Sequence, residues 1–139
     1  MTVEDEKEKM FKRVAQRRGF RFGIHDFLAE VYPDLLPRIN DYVEYTYLRD
    51  QLLDRKTREL CLIAALCAIG GDHPKHIELH MKAAVVYGAT KEEILEEIIL
   101  LSYWLGGGRY PWAFEAWREA FRPDLPTIMR ITDEPHGVD

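Results

Sequence analysis

Residues 60–69 read LCLIAALCAI, ten apolar positions in succession directly after Glu59. A helix that is apolar on every side is buried on every side. The run therefore predicts a central helix over 55–69, with Asp54 as its N-cap and Gly70-Gly71 as its stop. Working outward, helical signals recur and strand signals do not. Alternation of apolar and polar residues never persists over the four to eight positions a strand needs.

Upstream, residues 3–18 form a charged amphipathic helix ended by Gly19, with Val3, Met10, Phe11 and Val14 as its thin apolar stripe. Lys12, Arg13, Arg17, Arg18 and Arg21 cluster there, but Glu4, Asp5, Glu6 and Glu8 offset them, so a solvated face is expected. A short helix over 24–31 stops at Tyr32-Pro33. A further one opens at Pro33 and Pro37 and runs to Leu48, dense in tyrosine at 42, 45 and 47. Downstream, Pro74 starts a helix that reaches Tyr87, with Gly88 as its left-handed terminus. Thr90-Lys91-Glu92-Glu93 is a capping box opening a helix over 91–105. In its first half Glu92, Glu93, Glu96 and Glu97 are expected on the exposed face, while 98–105 is apolar nearly all round. Pro111 starts a last helix to Phe121, and Pro123, Pro126 and Pro135 punctuate an irregular tail. The expected architecture is all-α, a compact bundle of about six helices.

The chain has 139 residues, of which 47% are hydrophobic and 31% charged, a composition that suits one folded domain and excludes a disordered or disulfide-stapled chain. No stretch reaches the roughly 18–20 apolar residues of a membrane span. The net charge of −5 disfavours a nucleic-acid partner. The charged start, MTVEDEKEKMFKR, has no apolar secretion core, so cytoplasmic location is the expectation.

Three of five histidines fall within eight residues: His73, His76 and His80. His76 and His80 are i,i+4 and project from one side of the 74–87 helix. Its apolar centre is Ile77, Met81, Ala84 and Val85, with His80 and Tyr87 near the edge of that face and His76 slightly further out. Spacing alone favours boundary histidines with backbone or carboxylate partners. A metal set of His73, His76 and His80 stays open as the alternative, with Asp72 another candidate for the third ligand. Cys61 and Cys67 lie in the central helix and are expected to be buried and inert. Glu59 is either a first-turn charge favoured by the helix dipole or a buried acid facing a cleft. The glycine run GGGRYP lacks a phosphate-loop pattern and is read as a connection letting two helices approach.

These residues together resemble the carboxymuconolactone decarboxylase and AhpD-like family. Leu53-Asp54 through Arg58-Glu59-Leu60 carry the resemblance, with His80 before Lys82-Ala83-Ala84, then Gly88-Ala89-Thr90 with Glu92-Glu93-Ile94. It covers about residues 22–121, leaving 1–21 as a charged N-terminal helix and 122–139 as a tail. It implies an AhpD-like helical fold assembled as a trimer or hexamer. AhpD-like members use a CxxC followed by a histidine as a peroxidase or disulfide-reductase centre. Here the matching positions are His73 and His76, ahead of His80, so a thiolate nucleophile and its resolving partner are missing. The chain is closer to the decarboxylase branch, which keeps the histidine matching His80. The segment between Glu59 and His80 is about two residues longer than is usual in the family, and the GGGRYP turn is extended.

The resemblance thus implies a carboxy-lyase acting without a cofactor on a small carboxylated lactone or related acid. His80 is the candidate general acid/base, since imidazole titrates nearest neutrality, and Glu59 its orienting or proton-shuttling partner. His76, His73 and Tyr87 are the candidate substrate contacts. The competing expectations are a thiol peroxidase using Cys61 or Cys67, and a metal- or ligand-binding module without turnover. Finally, the apolar 98–105 segment and Trp112 predict a homo-oligomer anchored by Tyr103, Trp104 and Trp112.

Overall fold

A computed structural model describes residues 2–70, 74–106, 110–134 and 137. Seven α-helices and one π-helical turn make up its regular structure, and no strand occurs among the described residues. The chain divides into two compact units, Met1–Arg58 and Glu59–Asp139.

In the first unit, α1 (Val3–Arg18) opens on a capping box in which Thr2 and Asp5 satisfy each other's backbone N–H groups. It closes on Gly19 at φ 88°, as expected. The α2 helix (Gly23–Val31) follows, then α3 (Leu35–Val43). Phe11, Ala29 and Leu36 form a small core. Helical structure reaches Leu48 as expected, but its last stretch, Glu44–Leu48, winds as a π-helix. Arg49 N–H reaches the Glu44 carbonyl at 2.9 Å. Carbonyls at its end are taken by side chains: Arg17 Nη2 donates to Leu48 O at 3.1 Å, and Arg58 Nη1 to Tyr47 O at 2.6 Å.

In the second unit, the four remaining helices are α4 (Arg55–Ile69, which begins just before it), α5 (Pro74–Val86), α6 (Lys91–Leu105) and α7 (Tyr110–Phe121). Asp54 caps α4 as expected, its carboxylate accepting from Thr57 N–H at 2.7 Å. The Thr90–Glu93 box caps α6, with bonds of 2.8 and 3.0 Å. Gly88 holds φ 100° after α5, a conformation an L side chain rarely adopts. The core gathers Ile63 and Cys67 of α4, Ile77, Met81 and Ala84 of α5, Ile94 and Ile98 of α6, and Ala113 and Ala116 of α7.

Three expectations about burial are corrected. The α4 helix is not buried all round: Glu59, Ile63 and Cys67 form one buried stripe, while Cys61 is exposed. Uniform apolarity gives a helix no phase, so packing chooses the face. Glu97 is not fully exposed; it sits three residues after Ile94 and four before Leu101, and its Oε2 is buried without a hydrogen-bond partner. His80 lies deeper than the edge of the apolar face and is only 5% exposed. Tyr103 and Trp104, by contrast, are 83% and 75% exposed in the single chain. Among the described residues no helix is long and apolar enough to cross a membrane.

Candidate active site

Glu59 begins the buried stripe of α4 and is completely inaccessible to solvent. An ionisable side chain there needs a partner, since burying an uncompensated carboxylate costs several kcal/mol. The partner is His80 on α5, whose Nδ1 lies 2.7 Å from Glu59 Oε2. Of the two readings left open for Glu59, the buried acid is the observed one.

The i,i+4 spacing on α5 places His76 beside His80. Their Nε2 atoms are 3.2 Å apart and their ring centroids 5.0 Å apart. His76 is half-buried, one turn nearer the start of the helix than the enclosed His80. The three side chains thus form a chain of hydrogen bonds, Glu59–His80–His76, that runs from a fully enclosed carboxylate to a partly accessible imidazole. A carboxylate on Nδ1 fixes the tautomer: Nδ1 carries a proton and donates a hydrogen bond to Glu59, leaving Nε2 to face His76. With His80 neutral in that tautomer, the proton between the two Nε2 atoms is carried by His76, which donates it to His80.

The remaining candidates are placed differently. Tyr87 lies in the turn after α5, two helical turns beyond His80, and is 41% exposed. His73 and Asp72 lie outside the described residues, as do Gly71 and residues 107–109 of the glycine run. Among the described residues no group of three or more His, Cys, Asp or Glu side chains is arranged to hold a metal ion.

Two further acids of this unit, both shielded from solvent, were not singled out as candidates in the sequence. Glu78 on α5 is 7% exposed and is clamped by Lys75 at 2.9 Å and by Lys82, one turn away on either side. Glu97 on α6 is the other: burial pushes its carboxyl up to about 7. Burial first, and then the charge of Glu97, push the Cys67 thiol up to about 12. The helical register relative to Ile94 and Leu101 was the available signal for Glu97; nothing in the spacing marked Glu78 as buried.

A cavity of about 370 Å³ lies elsewhere, lined by Leu95 of α6, Phe114 and Trp117 of α7, and Leu125, Pro126 and Ile128 of the tail. Glu115 holds that tail segment, accepting from Thr127 Oγ1 at 2.9 Å and Ile128 N–H at 2.8 Å, while Arg118 donates to Leu125 O at 2.8 Å. The cavity has no part in the histidine site.

An enclosed glutamate–histidine pair extended by a second imidazole is an arrangement that can pass a proton from ring to ring. The model of the carboxymuconolactone decarboxylase family matches residues 33–119, and the chain belongs to that family. No match was found among curated proteins or among solved structures.

Proposed function

We propose that the chain is a carboxy-lyase that uses His80 as general acid/base on a small carboxylated lactone or related acid. The observation that carries this reading is the 2.7 Å contact between His80 Nδ1 and the fully buried Glu59. Loss of carbon dioxide from such a substrate leaves its electron pair on carbon as an enolate-like carbanion. The carbanion must then be protonated. His80 in its imidazolium form, held by the Glu59 carboxylate, delivers the Nε2 proton to that carbon. His76 shares the same nitrogen and, being partly accessible, returns a proton from solvent. Glu59 is a positioning residue in this scheme; it keeps the Nδ1 proton and stabilises the imidazolium.

His76, His73 and Tyr87 are the proposed contacts to the substrate. A protonated imidazole at position 76 or 73 would offer a charge-assisted hydrogen bond to the carboxylate before it leaves. The thiol alternative is disfavoured for Cys67, because a thiol pushed up to about 12 stays protonated at neutral pH.

The test is a screen of small carboxylated lactones and β-keto acids for carbon dioxide release by the purified chain, followed by His80→Gln on any substrate found. Loss of turnover in the variant is expected. Full retained turnover would refute the assignment of His80, and peroxide consumption abolished by Cys→Ser would favour the thiol alternative.

A further inference from the structure

We propose that His76 and His80 form a two-nitrogen site for a divalent transition-metal ion, with zinc as the reference ion, and that the metal replaces the hydrogen bond between the two rings. Nothing in the family assignment calls for this; it comes from how the two rings are set.

The ring centroids are 5.0 Å apart and the Nε2 atoms 3.2 Å apart, with the planes inclined at 47°. Both rings leave one side of α5, so they converge toward their Nε2 tips. A collinear N–H···N bond of the observed length would put the ring centres about 5.5 Å apart, so this pair is bent away from the best hydrogen-bond geometry. Two imidazole nitrogens about 2.0–2.1 Å from one tetrahedral zinc sit about 3.3 Å apart, with ring centres about 5.2 Å apart. The observed pair lies within a few tenths of an ångström of that arrangement on both distances. A metal therefore fits between the tips with little movement of either ring.

The support behind His80 is a second and independent observation. A metal-bound imidazole almost always donates its other ring N–H to a carboxylate or carbonyl, which fixes the tautomer and raises the basicity of the ligating nitrogen. Glu59 does this for His80 Nδ1 at 2.7 Å, with no exposure to solvent. His80 thus already presents a bare Nε2. His76 needs only to carry its own proton on Nδ1 for both tips to ligate. Imidazole pairs suit zinc, copper and nickel ions over magnesium or calcium.

The consequence for the proposed activity rests on the proton-transfer reading. A metal on His80 Nε2 occupies the atom that would deliver the proton, so metal binding shuts the reaction down. The site itself does not depend on that reading, and the experiment separates the two.

Zinc is titrated by calorimetry into the full chain in a non-coordinating buffer. One ion per chain is expected, with an affinity of about 1–100 µM for half the ligand set of a structural zinc site. His76→Gln should weaken binding at least about tenfold through the lost ligand, and Glu59→Gln about 10–100-fold through the lost support. Cys61→Ser, at the exposed thiol, should leave binding unchanged. In the unmodified chain, zinc should protect His76 from carbethoxylation as read by peptide mass spectrometry, which keeps the test decisive if a variant does not fold. Absence of saturable binding up to about 1 mM zinc, or equal binding in the His76→Gln chain, would overturn the site. Binding that is lost in Cys61→Ser would overturn it too. Stoichiometric binding with undiminished lyase activity would leave the site standing and overturn the blocking claim together with the role of Nε2 in proton transfer.

Discussion

Glu59 Oε2 and His80 Nδ1 meet at 2.7 Å across two helices, with their side chains 0% and 7% exposed. The pair lies 21 residues apart in the chain. In so dry a setting the bond matters to both groups, because losing it leaves a buried donor or acceptor short of a partner at that atom. Removing the acceptor therefore tests structure and chemistry separately. Glu59→Ala is expected to destabilise the fold by about 2–4 kcal/mol, read by urea unfolding. Glu59→Gln should fold, since its amide oxygen still accepts from Nδ1–H. It should nevertheless lower turnover by about 10²–10⁴-fold and alter the pH profile, since the imidazolium loses its counter-charge.

Two carboxyls give stability a defined dependence on pH. Burial raises Glu97 from 4.5 to about 7. Between those values the unfolded chain has given up this proton while the fold retains it, so stability falls as pH rises through the window. Glu97→Gln should remove that slope and stabilise the chain at pH 8 by about 1–2 kcal/mol, a figure reduced for the partial exposure of the group. Glu115 acts at the other end. Hydrogen bonds donated by Arg118, with further ones from Ile128 and Thr127, bring it from 4.5 down to about 2. Its contribution is present above 4.5 and is lost as pH falls toward 2, so acid should release the tail segment. Unfolding curves at pH 3, 5 and 8 for the chain and both glutamine variants check the two signs.

The capping box of α6 offers a quieter test. Thr90 Oγ1 accepts from Glu93 N–H at 3.0 Å, and Glu93 Oε2 accepts from Thr90 N–H at 2.8 Å. Thr90→Ala should cost about 1 kcal/mol in urea unfolding without changing any property of the histidine pair. A cost near zero would mean that the start of α6 is held by packing instead.

Self-association is the expected fate of the apolar surface on α6. Ile99, Leu100, Tyr103 and Trp104 are 55%, 66%, 83% and 75% exposed, and Trp112 of α7 is 45% exposed. Aromatic groups this open in one chain are the kind that anchor interfaces. Light scattering at micromolar concentration should give a trimer or hexamer, the assembly implied by the family resemblance. A stable species with the mass of one chain would contradict it, and a Trp104→Glu chain that still assembles would move the interface elsewhere.

Much of the helical frame was legible because its signals are local. Asp54, Gly88 and the Thr90–Glu93 box each act within four residues, and each sits at the helix end it marks. Two features were illegible because their causes lie far along the chain. The π-helix over Glu44–Leu48 engages Arg17 and Arg58, which come from before and after it. The burial pattern of α4 could not be phased from LCLIAALCAI, which looks alike in every direction; Cys61 was taken as buried and is exposed. The site was half legible. The i,i+4 rule put His76 beside His80, but only the family resemblance joined Glu59 to His80, since no spacing rule links residues on separate helices.

The measurement closest to the central claim is carbon dioxide release followed in parallel for the unmodified chain and for His80→Gln, on the small carboxylated lactone that the unmodified chain turns over fastest. Release by the unmodified chain is expected, with a loss of about 10²-fold or more in the variant and its helical content retained. Equal rates from the two chains would contradict it.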